Sequence, residues 1–352
     1  MKLVSWSADS DSAIRIGALL DRDPDNARVV DLQHAYARYL RDSSGDPFAA
    51  AIAAVRIPHD MLRLLQGGAL SLDAARDALR HAQQLLEQDP ARHAAGPLIR
   101  PLAQVRLHAP LARPGKIIAV GANYSGHIQE GRSAGVLRDL PDYPVAFLKM
   151  PSAVIGPDDD IVRSTYTEEL DYEIELSMVI GTRCRNVPAG CWRDVVMGFT
   201  IVNDISMRDL IVQEKPTGVV FQGKNLDTTC PLGPCIVTED DIADPGALDI
   251  RLSVNGETRQ QDNTRHMIHS CGRIIEYWSS RLTLEPGDVV TTGTTSGVAG
   301  FNRRFPERLL RHGDVIEAQI QSIGTLRNRV VDETTLAAGA HPSPATTHAQ
   351  EL

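Results

Sequence analysis

The chain has 352 residues, with 36 Lys and Arg against 45 Asp and Glu and a net charge of −9, so duplex nucleic acid and anionic membranes are poor partners. Apolar residues at 42% and charged residues at 23% are the balance of a folded globular chain that needs no covalent staples, which excludes a disordered chain or a disulfide miniprotein. Cys184, Cys191, Cys230, Cys235 and Cys271 are odd in number and form no CxxC zinc pair, and no run reaches the ~18 to 20 apolar residues of a membrane span, so a cytoplasmic location is expected.

Residues 1 to about 50 contain short β-branched runs, MKLVSW, IRIGALL and RVVDL, parted by polar turns, which predicts a small antiparallel sheet. SLDAARDALRHAQQLLEQD then carries apolar residues at three- and four-residue spacing, and Ser71 is expected to cap that helix. These elements form a smaller α/β domain over 1–110.

From about Pro110 the texture becomes β-rich. KIIAVGANY, VAFLKM, IELSMVIG, VVMGFTIVND, LDIRLSVNGE, DVVTTGT and DVIEAQI read as strands, and Asn255-Gly256 signals a hairpin because both residues tolerate positive φ. A helical stretch near 266–281 interrupts them. The fold class is therefore α+β and β-rich, with a catalytic domain over 111–332. The Ala-, Thr-, Pro- and His-rich segment 333–352 lacks periodicity and is expected to be disordered.

In LDYEIELSMVIG the alternation of Ile174, Leu176 and Met178 predicts a strand. Glu173 and Glu175 then share a face, about 7 Å apart along the backbone, close enough for flexible carboxylates to converge on one ion. Glu168, Glu169 and Asp171 precede them, and so many acids within eight residues repel one another unless solvated or neutralised by a cation. Asp204 follows the apolar run MGFTIVN and is either a third ligand at the mouth of a strand or a cap for the turn ISMRDL. Three carboxylates without His or Cys select Mg²⁺ or Mn²⁺, with Ca²⁺ an alternative, over zinc.

Several motifs in order resemble the fumarylacetoacetate hydrolase family. GANYSGHIQE is similar to its NYxxHxxE segment, PVAFLKMPSAVIGP to its FxKxxxxxxGP run, and LDYEIELSMVIG to its DYExEL strand. NDISMRD, GKNLDTTCPLGP and LTLEPGDVVTTGTTSGV match its later motifs, and together they cover about 113–330. The resemblance implies a mixed β-roll, a homodimer or higher homo-oligomer, and metal ligation by Glu173, Glu175 and Asp204. It also implies a small keto-acid substrate and cleavage of a C–C bond in an acylpyruvate-type 2-oxoacid.

His127 and Glu130, three residues apart in SGHIQEG, meet on one face if the segment is helical, where the carboxylate would orient an imidazole of ordinary pKa for general-base work. In relatives bearing this motif the pair activates water. Gly121, Gly126 and Gly131 around the pair suit a lid that orders over substrate. The resemblance assigns Lys224 to stabilising an enolate or oxyanion, and Arg208 and Thr294 to the substrate carboxylate. Arg208 has a local salt bridge as its alternative role, and Thr294 a turn.

Gly126, Met207, Ile211 and Thr295 depart from the common pattern, Ile211 standing where a substrate-facing Gln often occurs. The rival readings are a decarboxylase of a 3-oxoacid such as oxaloacetate, an isomerase or hydratase of the same family, and a catalytically silent binding or oligomeric module. There is no GxSxG elbow and no GxGxxG fingerprint, so serine hydrolase and dinucleotide-binding readings lack support.

Overall fold

The computed structural model describes residues 1–8, 11–20, 27–90, 96–135 and 141–337. The first strands, Lys2–Ala8, Asp11–Leu19 and Arg28–Asp31, form an antiparallel meander, as the β-branched runs require. The Lys2–Ala8 strand also pairs with Cys230–Thr238, setting Lys2 opposite Val237. One twelve-stranded sheet therefore crosses the boundary expected near residue 110.

Two helices cover the amino-terminal strands. Leu32–Ser44 is capped by Asp31, whose side chain accepts from His34 N. The long helix runs Gly68–Gln88 and buries Ala74, Ala75, Ala78 and Ala82, packing in the same core as Leu32 and Ala35. Ser71 is not its cap. Gly68, at φ 59°, turns the chain directly out of the preceding helix Met61–Gln66, so the long helix starts four residues early and Ser71 is buried inside it.

At the centre, every residue of Ile174–Ile180, Val196–Asn203 and Val289–Thr294 is buried. The first of these is hydrogen-bonded antiparallel to the other two, one on each side. A second sheet orders Glu257–Asn263, Asp249–Val254, Val315–Ile320, Gly324–Asp332 and Asp160–Arg163. Asn255 and Gly256, at φ 52° and 80°, make its first hairpin turn, as their sequence predicts. Both sheets mix antiparallel with parallel neighbours, for example Val289–Thr294 beside Ile117–Gly121, and the architecture is α+β and strand-rich.

The helix expected near 266–281 is Cys271–Ser279, and all five cysteines are free. Of the segment expected to be disordered, Glu333–Ala337 is helical: Glu333 accepts from Ser164 Oγ and Thr165 N, which ties it to the neighbouring strand end. Residues 338–352 lie outside the described residues. Among the described residues no helix is long and apolar enough to cross a membrane.

Candidate metal centre

Two strand ends are clamped together at Glu173. Its N–H donates to Asn203 Oδ1 at 3.0 Å, and Asp204 N donates to its carbonyl at 2.8 Å. Glu175 projects from the same face and accepts from Gly293 N at 3.1 Å. That contact depends on a register shift between Glu175 and Ser177, where the opposing strand carries Gly293 at φ 86°. A Cβ on Gly293 would lie 2.9 Å from Asn123 Cβ, so the bulge needs glycine on both counts. One ligand oxygen each from Glu173, Glu175 and Asp204 lies within 4.8 Å of the others, with all three residues buried.

Three cations surround this trio. Lys224 Nζ donates to Glu173 Oε2 at 3.0 Å, Asp204 Oδ2 at 2.6 Å and Ser206 Oγ at 2.7 Å. Arg208 reaches Glu173 Oε1 at 2.5 Å and Asp171 Oδ2 at 2.7 Å. Lys149, wholly buried, stands 2.7 Å from Asp204 Oδ1 in an ion pair whose angles fall short of a hydrogen bond, and donates to Lys224 O at 2.5 Å.

Lys149 and Asp171 are site residues that the sequence reading passed over. The signal for Lys149 was a lysine closing the apolar run VAFLK, and the signal for Asp171 was its place in the acidic cluster. That cluster does not act as a unit. Glu168 is exposed, whereas Asp171 is buried and also accepts from Ala299 N and Gly300 N.

The donor set fits a hard divalent ion. Burial opposes ionisation of Glu173, but Lys224 and then Arg208 outweigh it and hold its pKa below the usual carboxylate range. Among the described residues Glu175 has no ion-pair partner: burial first, then the charges of Asp204 and Glu173, push its pKa well up. Asp204 Oδ1 faces Lys149 but is buried without a hydrogen bond among the described residues, so a lone pair is available to an ion. A cation among these oxygens removes the repulsion and completes the coordination that oxygen-only sites offer Mg²⁺ or Mn²⁺.

His127 lies on the helix Ser125–Ser133, with Nδ1 buried and without a hydrogen-bond partner among the described residues. Its pKa is not ordinary. Burial pushes it down to about 4, Arg208 and Lys224 adding to the fall and Glu173 opposing it, so the ring is neutral at pH 7. Nor does Glu130 orient it: Glu130 Oε2 accepts from Gly297 N at 2.8 Å, because the loop carrying Gly297 offers a backbone donor at that spot. The ring instead packs on Phe301, centroids 4.9 Å apart.

Arg208 thus takes the salt-bridge role, with Asp171 and Glu173 as its partners. Thr294 is not in a turn: its hydroxyl donates to Ile174 O and accepts from Gln260 Nε2, both at 2.9 Å, inside the sheet. Met207 is buried in the core and Ile211 packs beside Gly223.

Fold and site together define a strand-rich enzyme scaffold with a buried three-carboxylate cluster that could hold a cation, flanked by lysine and arginine. The chain belongs to the fumarylacetoacetate hydrolase family, residues 116–331 matching the family model described as fumarylacetoacetate (FAA) hydrolase C-terminal. It is 38% identical over 275 residues to a mitochondrial oxaloacetate tautomerase of Rattus norvegicus, covering 78% of this chain and 80% of that one. An oxaloacetate tautomerase of Bacillus subtilis is 43% identical over 256 residues, covering 71% of this chain and 81% of its own length. Among solved structures, fumarylacetoacetate hydrolase from Exiguobacterium antarcticum superposes with a TM-score of 0.68 at 32% identity, covering 94% of this chain and 99% of that one. Maleylpyruvate hydrolase from a Sphingobium species, in complex with manganese(II) and pyruvate, gives 0.65 at 30% identity, covering 94% and 99%.

Proposed function

We propose that this chain is a divalent-metal-dependent tautomerase that interconverts the keto and enol forms of a small 2-oxoacid of the oxaloacetate type. The observation that carries this reading is the likeness to oxaloacetate tautomerases over most of both chains. It displaces acylpyruvate hydrolysis as the leading reading in favour of the isomerase alternative.

Glu173, Glu175 and Asp204 would hold Mg²⁺ or Mn²⁺, which when bound supplies Lewis acidity toward the substrate's 2-oxo and carboxylate oxygens. The Lys224 ammonium, kept charged chiefly by Asp204 and Glu173 against the effect of burial, stabilises negative charge developing on the 2-oxygen. His127, neutral and with a nitrogen uncommitted, accepts the proton from C3 of the keto form, and the imidazolium so formed returns a proton to the 2-oxygen, which gives the enol and leaves the ring neutral again. Phe301 packs against the imidazole. Arg208 and Lys149 position Glu173 and Asp204.

Fresh oxaloacetate enol, followed by its ultraviolet absorbance, tests this: ketonisation should accelerate with enzyme plus Mg²⁺, and an unchanged rate would remove the reading. C–C hydrolysis is the second reading, supported by the His127 helix and the likeness to maleylpyruvate hydrolase. Product analysis with an acylpyruvate distinguishes the two. The expected homo-oligomer is supported by exposed Val212, Val219, Val220 and Phe221, and sedimentation tests it.

A further inference from the structure

We propose that Arg303 binds the carboxylate at the far end of the substrate, so that the site selects dicarboxylic 2-oxoacids over monocarboxylic ones. This rests on the tautomerase reading and adds the substrate class.

A cavity of about 870 Å³ opens between the helix Ser125–Ser133 and the loop 296–304, with Gly126, Glu130, Ser296, Phe301, Arg303 and Arg304 in its wall. It adjoins the metal centre through a single ring. Phe301 stacks 4.9 Å from His127 and lies 5.5 Å from the Arg208 guanidinium, which itself bonds Glu173. With its 2-oxo end at the carboxylate trio, the proposed substrate has its other end on the cavity side of Phe301, the wall residue that touches both His127 and Arg208.

The charges in the cavity wall are unequal in their commitments. Arg304 is engaged by Glu257 at 3.5 Å and Glu307 at 3.4 Å. Glu130 already has its Oε2 engaged by Gly297 N at 2.8 Å. Arg303 is exposed and makes no hydrogen bond or ion pair among the described residues. An unengaged guanidinium offers a carboxylate two parallel N–H donors. Gly126 contributes no side chain to the wall, where a Cβ would lie 3.3 Å from Ser296 Oγ.

The test compares wild type with Arg303→Gln and Arg303→Lys, using oxaloacetate and the monocarboxylate phenylpyruvate as tautomerase substrates. Arg303→Gln should raise KM for oxaloacetate roughly ten- to hundredfold, the worth of a charged hydrogen bond, while kcat and the KM for phenylpyruvate stay put. Arg303→Lys should recover part of the loss. Equal changes for both substrates, or none, would overturn the proposal. Calorimetric titration of the Mg²⁺-loaded protein with 3,3-difluorooxaloacetate, which has no C3 hydrogen to lose, separates the two claims. Weaker binding by Arg303→Gln, with pyruvate binding unchanged, upholds the carboxylate site even if wild type proves inactive as a tautomerase; unchanged binding of the difluoro compound refutes it.

Discussion

Replacing Lys224 by Met should show how the centre balances its charges. The substitution removes three hydrogen bonds, to Glu173, Asp204 and Ser206, and leaves two buried carboxylates short of a cation. Stranding a buried partner costs about 3 to 5 kcal/mol, and the low end applies because Arg208 still holds Glu173 and Lys149 still faces Asp204. At ~2 °C per kcal/mol for a chain of this size, Tm in EDTA should fall by about 6 °C. Saturating Mg²⁺ should shrink that difference, because the ion neutralises the same oxygens. The turnover rate with metal should drop on the order of a hundredfold, from lost stabilisation of the developing oxyanion. An unchanged Tm in EDTA, or a deficit that Mg²⁺ leaves intact, would refute the assigned charge balance.

Glu175→Gln removes one of three mutually repelling buried acids, so Tm in EDTA should hold or rise while Mn²⁺ affinity by calorimetry falls more than roughly tenfold; retained affinity would take Glu175 out of the ligand set. His127→Ala should lower kcat by about 10² to 10⁴ with Mn²⁺ affinity unchanged, and a wild-type turnover rate would deny it the proton-transfer role. The pH dependence centres on Glu214, whose carboxylate accepts from the N–H groups of Phe221, Gln222 and Gly223 and so fixes the turn that carries Lys224. Burial is the largest single influence and raises its pKa, but the three backbone bonds together outweigh it and lower the pKa, so their stabilisation is present above the ordinary glutamate value of 4.5 and is lost as pH falls through the lower folded value. Wild type should therefore unfold at a higher temperature than Glu214→Gln at pH 7, with the gap closing below pH 4.5; a gap independent of pH would contradict this.

The parts of the fold carried by local pattern were legible in the sequence. Period-two alternation located the strand of Glu173 and Glu175 and put both carboxylates on one face, and Asn255-Gly256 gave its hairpin. Asp204 could be read as ligand or cap, and only the pairing of Val196–Asn203 with Ile174–Ile180 brought it to the trio. Long-range geometry was not legible. Nothing local joins Lys149 to Asp204, 55 residues on, or Lys2–Ala8 to Cys230–Thr238. The HxxE spacing suggested a mutual pair, but a loop 167 residues away captured Glu130, and the burial that shifts His127 is a property of the folded core.

Metal-restored tautomerisation bears most directly on the central claim. Protein stripped with EDTA should ketonise oxaloacetate enol at the uncatalysed rate, Mg²⁺ or Mn²⁺ should restore catalysis to wild type, and Glu175→Gln should stay inactive at metal concentrations that saturate wild type. Full activity in EDTA, or equal restoration of wild type and variant, would contradict a tautomerase built on Glu173, Glu175 and Asp204.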